Sequence, residues 1–323
     1  MSIQILGTGA YLPEKVLTND DLAQMVETSD EWIMQRVGIH ERRVSVNESA
    51  AEMAEKAARR ALEAANIQPE ELDLIVAATV SSDSICPSLS ARVQAALGAH
   101  CPAFDLNSAC SGFLFALDTA AAFIARGGIR YALVIGAERL SRVLDWTDRS
   151  TCVIFGDGSG AFVVAPGEQY LASRLFTQGS DSALSISAGK GNSPFYEKEL
   201  APYKVVMNGQ ETFKFAVRRL EEDIKLLCEQ AGITPQELDW IVPHQANVRI
   251  IDLCARRLKL PLEKFYMNIE RYGNTSSASV PISFDELARS GKLREGDLIA
   301  MSAFGGGLSG AGCIIRWAGS PRM

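Results

Sequence analysis

Ile67-Gln68-Pro69-Glu70-Glu71-Leu72-Asp73-Leu74-Ile75-Val76 returns 166 residues later as Ile233-Thr234-Pro235-Gln236-Glu237-Leu238-Asp239-Trp240-Ile241-Val242. A long helical pattern precedes each copy, and each copy ends in a run suited to a buried strand. At the same offset, Ala132-Leu133-Val134-Ile135 faces Leu298-Ile299-Ala300-Met301. The offset is close to half of the 323 residues. The chain therefore reads as two similar α/β halves, 1–170 and 171–323. A site between such halves would draw groups from both.

Outward from the repeat, strand-like apolar runs alternate with helical patterns, the mark of an α/β fold. Strands are expected at 3–7, 73–79, 103–106, 131–136, 160–165, 239–243, 297–303 and 311–317. Helices are expected at 50–65, 88–97, 110–126, 210–230, 245–258 and 280–290. The segment 178–204, rich in Gly, Ser, Lys and Pro, reads as an irregular excursion.

Apolar residues make up 47% of the chain and charged residues 22%, ordinary for a globular protein. A net charge of −7 speaks against binding nucleic acid. The seven cysteines are odd in number and irregularly spaced, with no CxxC pair. That argues against a disulfide framework and a thiolate metal site. The first residues show no basic stretch followed by an apolar one, and no uninterrupted apolar run nears the roughly 20 residues of a membrane span. The expectation is a reduced, cytoplasmic protein that binds neither nucleic acid nor membrane.

One cysteine stands out. Asn107-Ser108-Ala109-Cys110-Ser111-Gly112 leads into Phe113-Leu114-Phe115-Ala116-Leu117, the start of a helix apolar nearly all round and so buried. Cys110 falls in its first turn, where free N–H groups and the helix dipole favour the thiolate. A lone cysteine can equally be inert packing. In the second half, His244 follows the strand ending Ile241-Val242-Pro243, the end at which α/β folds gather site residues. His40 and His100 read as surface or structural. Asn274, in Tyr272-Gly273-Asn274-Thr275-Ser276-Ser277-Ala278-Ser279, reads by itself as a turn before a capped helix. Phe304-Gly305-Gly306-Gly307 lets backbone approach a ligand closely and aim N–H groups at an oxyanion, or makes a tight turn. Gly7-Thr8-Gly9 follows a strand, but Leu12 occupies the third glycine position of a dinucleotide fingerprint and no helix starts there.

Taken together, these motifs resemble the β-ketoacyl-(acyl-carrier-protein) synthase III family of condensing enzymes. The likeness runs over essentially the whole chain. It includes Gly7-Thr8-Gly9-Ala10-Tyr11-Leu12-Pro13, Trp32 with Arg36-Val37-Gly38-Ile39, Asp148-Arg149 and Phe155-Gly156-Asp157-Gly158, besides the cysteine, histidine, asparagine and glycine motifs. The resemblance implies the thiolase-like fold, two duplicated α/β halves in five layers, as a homodimer. It implies that Cys110 takes an acyl group from acyl-CoA, with the N–H groups of Cys110 and Gly306 as oxyanion hole. His244 and Asn274 would then stabilise the thioester oxygen of malonyl-(acyl carrier protein) as CO₂ leaves, without cofactor or metal. CoA contacts carry over to Trp32, Arg36, Arg149, Asn247, Asn208 and Phe213, with adenine between Trp32 and Arg149. Lys214, Arg249, Arg256 and Arg257 would meet the acidic carrier protein. Cys86, together with Phe304, would border the acyl pocket. Cys86 stands where many members carry a bulky Phe or Leu that closes this pocket across the dimer, so medium or branched primers are expected besides acetyl. The alternatives are a related condensing or acyl-transfer enzyme of secondary metabolism, and a catalytically silent partner of the same fold.

Overall fold

The computed structural model describes residues 2–180, 182–188, 194–195 and 201–319. Two sheets carry the duplication. The N-terminal sheet orders its strands Ser2–Tyr11, Asp157–Gly167, Ala132–Arg139, Leu74–Ala78, Ala103–Leu106. The C-terminal sheet runs Tyr170–Ser180, Gly307–Arg316, Leu298–Gly305, Trp240–Pro243. Central pairings match at the offset seen in sequence: Leu74–Ala78 lies parallel to Ala132–Arg139, as Trp240–Pro243 lies parallel to Leu298–Gly305. The counterpart of the fifth strand shrinks to one parallel bridge, Ile241 to Phe265.

Strands buried on both faces read as continuous apolar runs, and alternate residues serve different cores. Leu74, Val76 and Ala78 point to one core, Ile75 and Ala77 to another. The first of these lies between the sheets. There Phe113, Leu117 and Ile124 of the helix Gly112–Arg126 and Val280, Phe284 and Leu287 of the helix Ser279–Arg289 meet both sheets. Phe113, Phe162 and Phe284 pack edge-on or tilted at 4.8 and 5.0 Å. The helices Ala50–Ala65 and Leu89–Leu97 cover the outer face of the N-terminal sheet. Gly209–Ala231 and Val248–Leu258 cover that of the C-terminal sheet. Five layers result, as the resemblance implied. Ala109–Arg126 is long and apolar enough to cross a bilayer by length and composition, yet its apolar residues form this central layer.

All fourteen expected elements are present, with ends shifted by a few residues. The irregular reading of 178–204 needs correction over its first part. The edge strand Tyr170–Ser180 runs into it, and Leu184–Ile186 pairs with Val205–Met207. Residues 181, 189–193 and 196–200 of that segment lie outside the described residues.

Candidate active site

Cys110 does not sit inside the α-helix itself. Ala109–Ser111 form a tight turn of 3-10 helix before Gly112, and Ala109 holds a φ of 47°, a region that is costly for a residue with a Cβ. The turn is pinned from the other half. Ser309 Oγ lies 2.8 Å from Ser111 Oγ and donates toward Ser108 O and Gly306 O at 3.0 and 2.9 Å. Gly305 must be glycine, because a Cβ there would come 2.6 Å from the Cys110 nitrogen. These contacts set the end of the strand Leu298–Gly305 against the backbone that carries the thiol.

Cys110 is 6% exposed, and its surroundings correct the expectation of a depressed thiol pKa. Burial pushes the thiol up to about 12, a hydrogen bond with Ser276 pulls it down, and the Glu138 carboxylate pushes it up again. Desolvation outweighs the helix start. The resting form is therefore a thiol.

His244 is buried, with Nδ1 2.6 Å from Ser279 Oγ at the start of the helix Ser279–Arg289. Burial lowers its pKa to about 3, so the ring is neutral. Phe304 stands edge-on to it at 5.2 Å. Asn274 is held by its backbone and by one end of its amide. Its N–H donates to Ile154 O at 2.9 Å, its carbonyl accepts from Gly156 N at 3.0 Å, and Oδ1 accepts from Ser276 N at 2.8 Å. With Oδ1 engaged, Nδ2 is the amide atom left to donate to a ligand.

Two cavities meet at the cysteine. A channel of about 280 Å³ is lined by Cys110, His244, Asn274 and Phe304, and outward by Trp32, Arg36, Arg149, Phe213 and Asn247. A larger cavity of about 950 Å³ lies on the other side, lined by Leu106, Phe115, Leu140, Ile186, Val205 and Gly306 among others. Cys110, Phe155 and Leu184 border both. At the channel mouth the Arg36 and Arg149 guanidiniums lie 5.4 and 5.3 Å from the Trp32 ring centre. Among the described residues, Arg149 makes no ion pair with its acidic neighbours. It donates to Glu27 O at 2.7 Å, while Asp148 binds Ser150 and Thr151, and Asp145 binds Lys204.

Several of the expected contact residues also have other partners or positions. Asn208 caps the helix Gly209–Ala231 through its side chain and is not among the channel-lining residues. Asn247 does line the channel, but its amide also caps Val248–Leu258 and donates to Arg36 O at 3.0 Å. Phe304 borders the channel beside His244, not the larger cavity. Cys86 is exposed and lines neither cavity; its neighbour Ile85, 99% exposed, edges the larger one. Of the basic residues, Arg256 pairs with Asp252 and Arg257 with Glu221. Arg249 instead lies over Phe213 at 5.7 Å, by the channel mouth, and Lys214 is exposed one residue further along that helix.

No motif in the chain marks Glu138 as a site residue. It is wholly buried, accepting from Ser81 Oγ, from Ser277 Oγ at 2.7 Å and from Val80 N at 3.1 Å, and burial raises its pKa despite these donors. Ser279 and Ser309 carry no such signal either: Ser279 sits in a run that reads only as a helix cap, and Ser309 follows the glycine run without a motif of its own. Among the described residues, no three His, Cys, Asp or Glu side chains gather to hold a metal.

Family models for 3-oxoacyl-[acyl-carrier-protein] synthase III match residues 104–179, and for its C-terminal part residues 228–317. The β-ketoacyl-[acyl-carrier-protein] synthase III of Clostridium acetobutylicum is 47% identical over 98% of this chain and 99% of its own. This chain belongs to the β-ketoacyl-[acyl-carrier-protein] synthase III family. The solved synthase III structures of Aquifex aeolicus and Thermus thermophilus superpose with TM-scores of 0.91 and 0.92, at 47% and 40% identity, covering 98% of this chain. The matches span 100% and 99% of those two chains. A priming β-ketosynthase of the R1128 polyketide pathway superposes at 0.91 with 35% identity, over 99% of this chain and 97% of its own. This chain is a condensing acyltransferase of fatty-acid synthesis.

Proposed function

We propose that this synthase III joins an acyl-CoA primer to malonyl-(acyl carrier protein) by decarboxylative Claisen condensation, through an acyl group held on Cys110. The observation that carries the reading is the position of Cys110 at the junction of two cavities, with His244 and Asn274 lining one of them. The primer arrives along the channel past Trp32 and Arg149, and its acyl chain lodges in the larger cavity. The Cys110 sulfur attacks the thioester carbon while the N–H groups of Cys110 and Gly306 hold the oxyanion. The C–S bond to CoA breaks, and the thiol proton ends on the departing CoA sulfur. A thiol kept protonated at rest by burial loses its proton only as substrate fills the site.

The malonyl thioester then enters the same channel. Its oxygen sits between Asn274 Nδ2 and the ring of His244. In this reading the Ser279 hydroxyl donates to Nδ1, which places the proton of the neutral imidazole on Nε2. Loss of CO₂ puts charge on that oxygen, and two neutral donors stabilise it without protonating the carbanion. A histidine whose pKa is about 3 suits this task, since an imidazolium would quench the nucleophile. The carbanion forms the new C–C bond with the acyl carbon, and the Cys110 sulfur leaves.

A cavity of about 950 Å³ supports medium or branched primers over acetyl alone. The solvent-facing Ile85 and Cys86, beside the cavity rim, support a homodimer in which this loop closes the second copy's cavity. Lys214 and Arg249, beside the channel mouth, are the basic residues best placed for the acidic carrier protein; Arg256 and Arg257 are held by carboxylates. The enzyme works in the cytoplasm and needs no cofactor. The deciding experiment is intact-protein mass after mixing with acetyl-, isobutyryl-, hexanoyl- and octanoyl-CoA, followed by malonyl-carrier protein. An adduct on Cys110 that disappears with release of CO₂ is expected. No adduct with any donor, or acyl transfer without CO₂, defeats the reading.

A further inference from the structure

Arg42 is the bulkiest of the wholly buried side chains, yet among the described residues it has no carboxylate in ion-pairing distance. Its acceptors are all neutral. Nη1 donates to Leu17 O at 3.1 Å and Asn19 Oδ1 at 2.8 Å, and Nη2 to Val153 O at 2.7 Å. Burial lowers the guanidinium pKa to about 10, which leaves it charged at neutral pH. Removing a charge from water with only neutral partners is unfavourable, and an apolar side chain would fill the same volume without that penalty.

What the guanidinium grips explains its presence. Val153 begins the stretch Val153-Ile154-Phe155-Gly156, and that stretch is the backbone template of Asn274. Ile154 O accepts from Asn274 N, Gly156 N donates to Asn274 O, and Phe155 bridges to Asn274 in parallel. The Arg42 stem fills the room left by two glycines beside this bridge. A Cβ on Gly156 or on Gly273, whose φ is 64°, would come 3.2 or 3.3 Å from Arg42 Cβ. Arg42 thus bonds one strand of the bridge that aims the Asn274 amide and packs close to the other. No other charged side chain bonds to Val153–Gly156 among the hydrogen bonds of the described residues.

We propose that Arg42 is a positioning residue for the condensation step, fixing Asn274 through the carbonyl of Val153. The inference rests on the reading of Asn274 as a donor to the malonyl thioester, and it separates the two half-reactions. The Cys110 backbone is set by Ser309 and Gly305, to which Arg42 makes no hydrogen bond, so acylation should suffer far less than condensation.

The test compares Arg42→Met, which removes the charge and keeps bulk, and Arg42→Lys, which keeps one donor, in the full-length enzyme. Acyl-Cys110 is followed by intact mass at saturating acyl-CoA, and condensation by CO₂ release from malonyl-carrier protein. Arg42→Met should acylate within about threefold of the parent and condense roughly 10- to 100-fold more slowly in kcat, with KM for malonyl-carrier protein nearly unchanged. Arg42→Lys should recover part of that loss. In an Asn274→Ala background, Arg42→Met should have little further effect, because the two act through one atom. Equal losses in both half-reactions, no loss in condensation, or additive losses with Asn274→Ala would overturn the inference. If Arg42→Met does not fold, Arg42→Lys must still show the split between half-reactions. A parent enzyme that never forms acyl-Cys110 would overturn the condensation reading as well, which tells the two failures apart.

Discussion

The two helix starts that face each other between the sheets share one backbone and do opposite things. Ala109–Ser111 precede the helix Gly112–Arg126, and Ser276–Ala278 precede Ser279–Arg289. Each turn begins with a residue of positive φ, 47° at Ala109 and 50° at Ser276. The second residue is Cys110 in one and Ser277 in the other. Cys110 opens onto two cavities. Ser277 lines neither; its Oγ lies 2.7 Å from Glu138 Oε1 and 3.1 Å from Ala78 O. The repeat supplies the reason. Glu138 ends a strand of the N-terminal sheet, and the residue 166 positions on is Phe304, which stands beside His244; the counterpart of His244 is Ala78. One half uses its polar side chain to lock a serine, and the other turns an imidazole toward open space. A strained turn at a buried helix start is therefore a device for placing a side chain, and the opposing strand end decides whether that side chain is locked or opens onto a cavity.

The comparison can be broken most severely at its reactive member. Cys110→Ala should abolish the acyl adduct and lower condensation by about 10⁴-fold or more, measured by intact mass and by formation of the β-ketoacyl product. Adding Ser277→Cys to that variant should not restore an adduct, since the new thiol would face Glu138. An acyl adduct mapped to position 277 would show that the backbone alone makes the nucleophile. Next in size, Asn274→Ala or His244→Ala should slow condensation by about 10²- to 10³-fold while acylation of Cys110 stays near parent level, read by single-turnover kinetics of each half-reaction.

The thiol itself gives a third effect. Because burial holds the Cys110 pKa at about 12, the thiolate fraction of the free enzyme should climb about tenfold per pH unit from neutrality upward through the mildly alkaline range, without a plateau. Iodoacetamide labelling followed on the Cys110 peptide measures this. A plateau near neutrality would mean that the helix start prevails over desolvation. Smallest, Trp32→Ala should raise KM for acyl-CoA by roughly 5- to 30-fold with little change in kcat, the size expected of cation–π contacts with Arg36 and Arg149.

Much of the fold is legible in the chain because its strongest signals are local. Leu74–Ala78 and Trp240–Pro243 are apolar on both faces, so their register with neighbours shows as continuous runs, and the shared Pro-x-Glu-Leu-Asp lead-in exposes the duplication. Tyr170–Ser180 leaves no strand signal because it lies at a sheet edge and is only partly buried, without a clean alternation. Within the site, the cysteine, histidine and asparagine stand in short motifs, whereas Arg42 and Glu138 follow no motif at all. Arg42 looks like one arginine of a polar Glu41-Arg42-Arg43 run until Val153, more than a hundred residues away, is laid over it.

By itself the sequence pointed to two α/β halves, because apolar periodicity acts over a few residues, and its motifs, through their resemblance to the family, singled out Cys110, His244 and Asn274. Tertiary structure alone decided that Cys110 rests as a thiol, that His244 is neutral, that Asn208 caps a helix instead of lining the channel, and that Ser277 is locked. Those outcomes depend on desolvation and on partners brought together from opposite halves, and neither is written in the order of neighbouring residues.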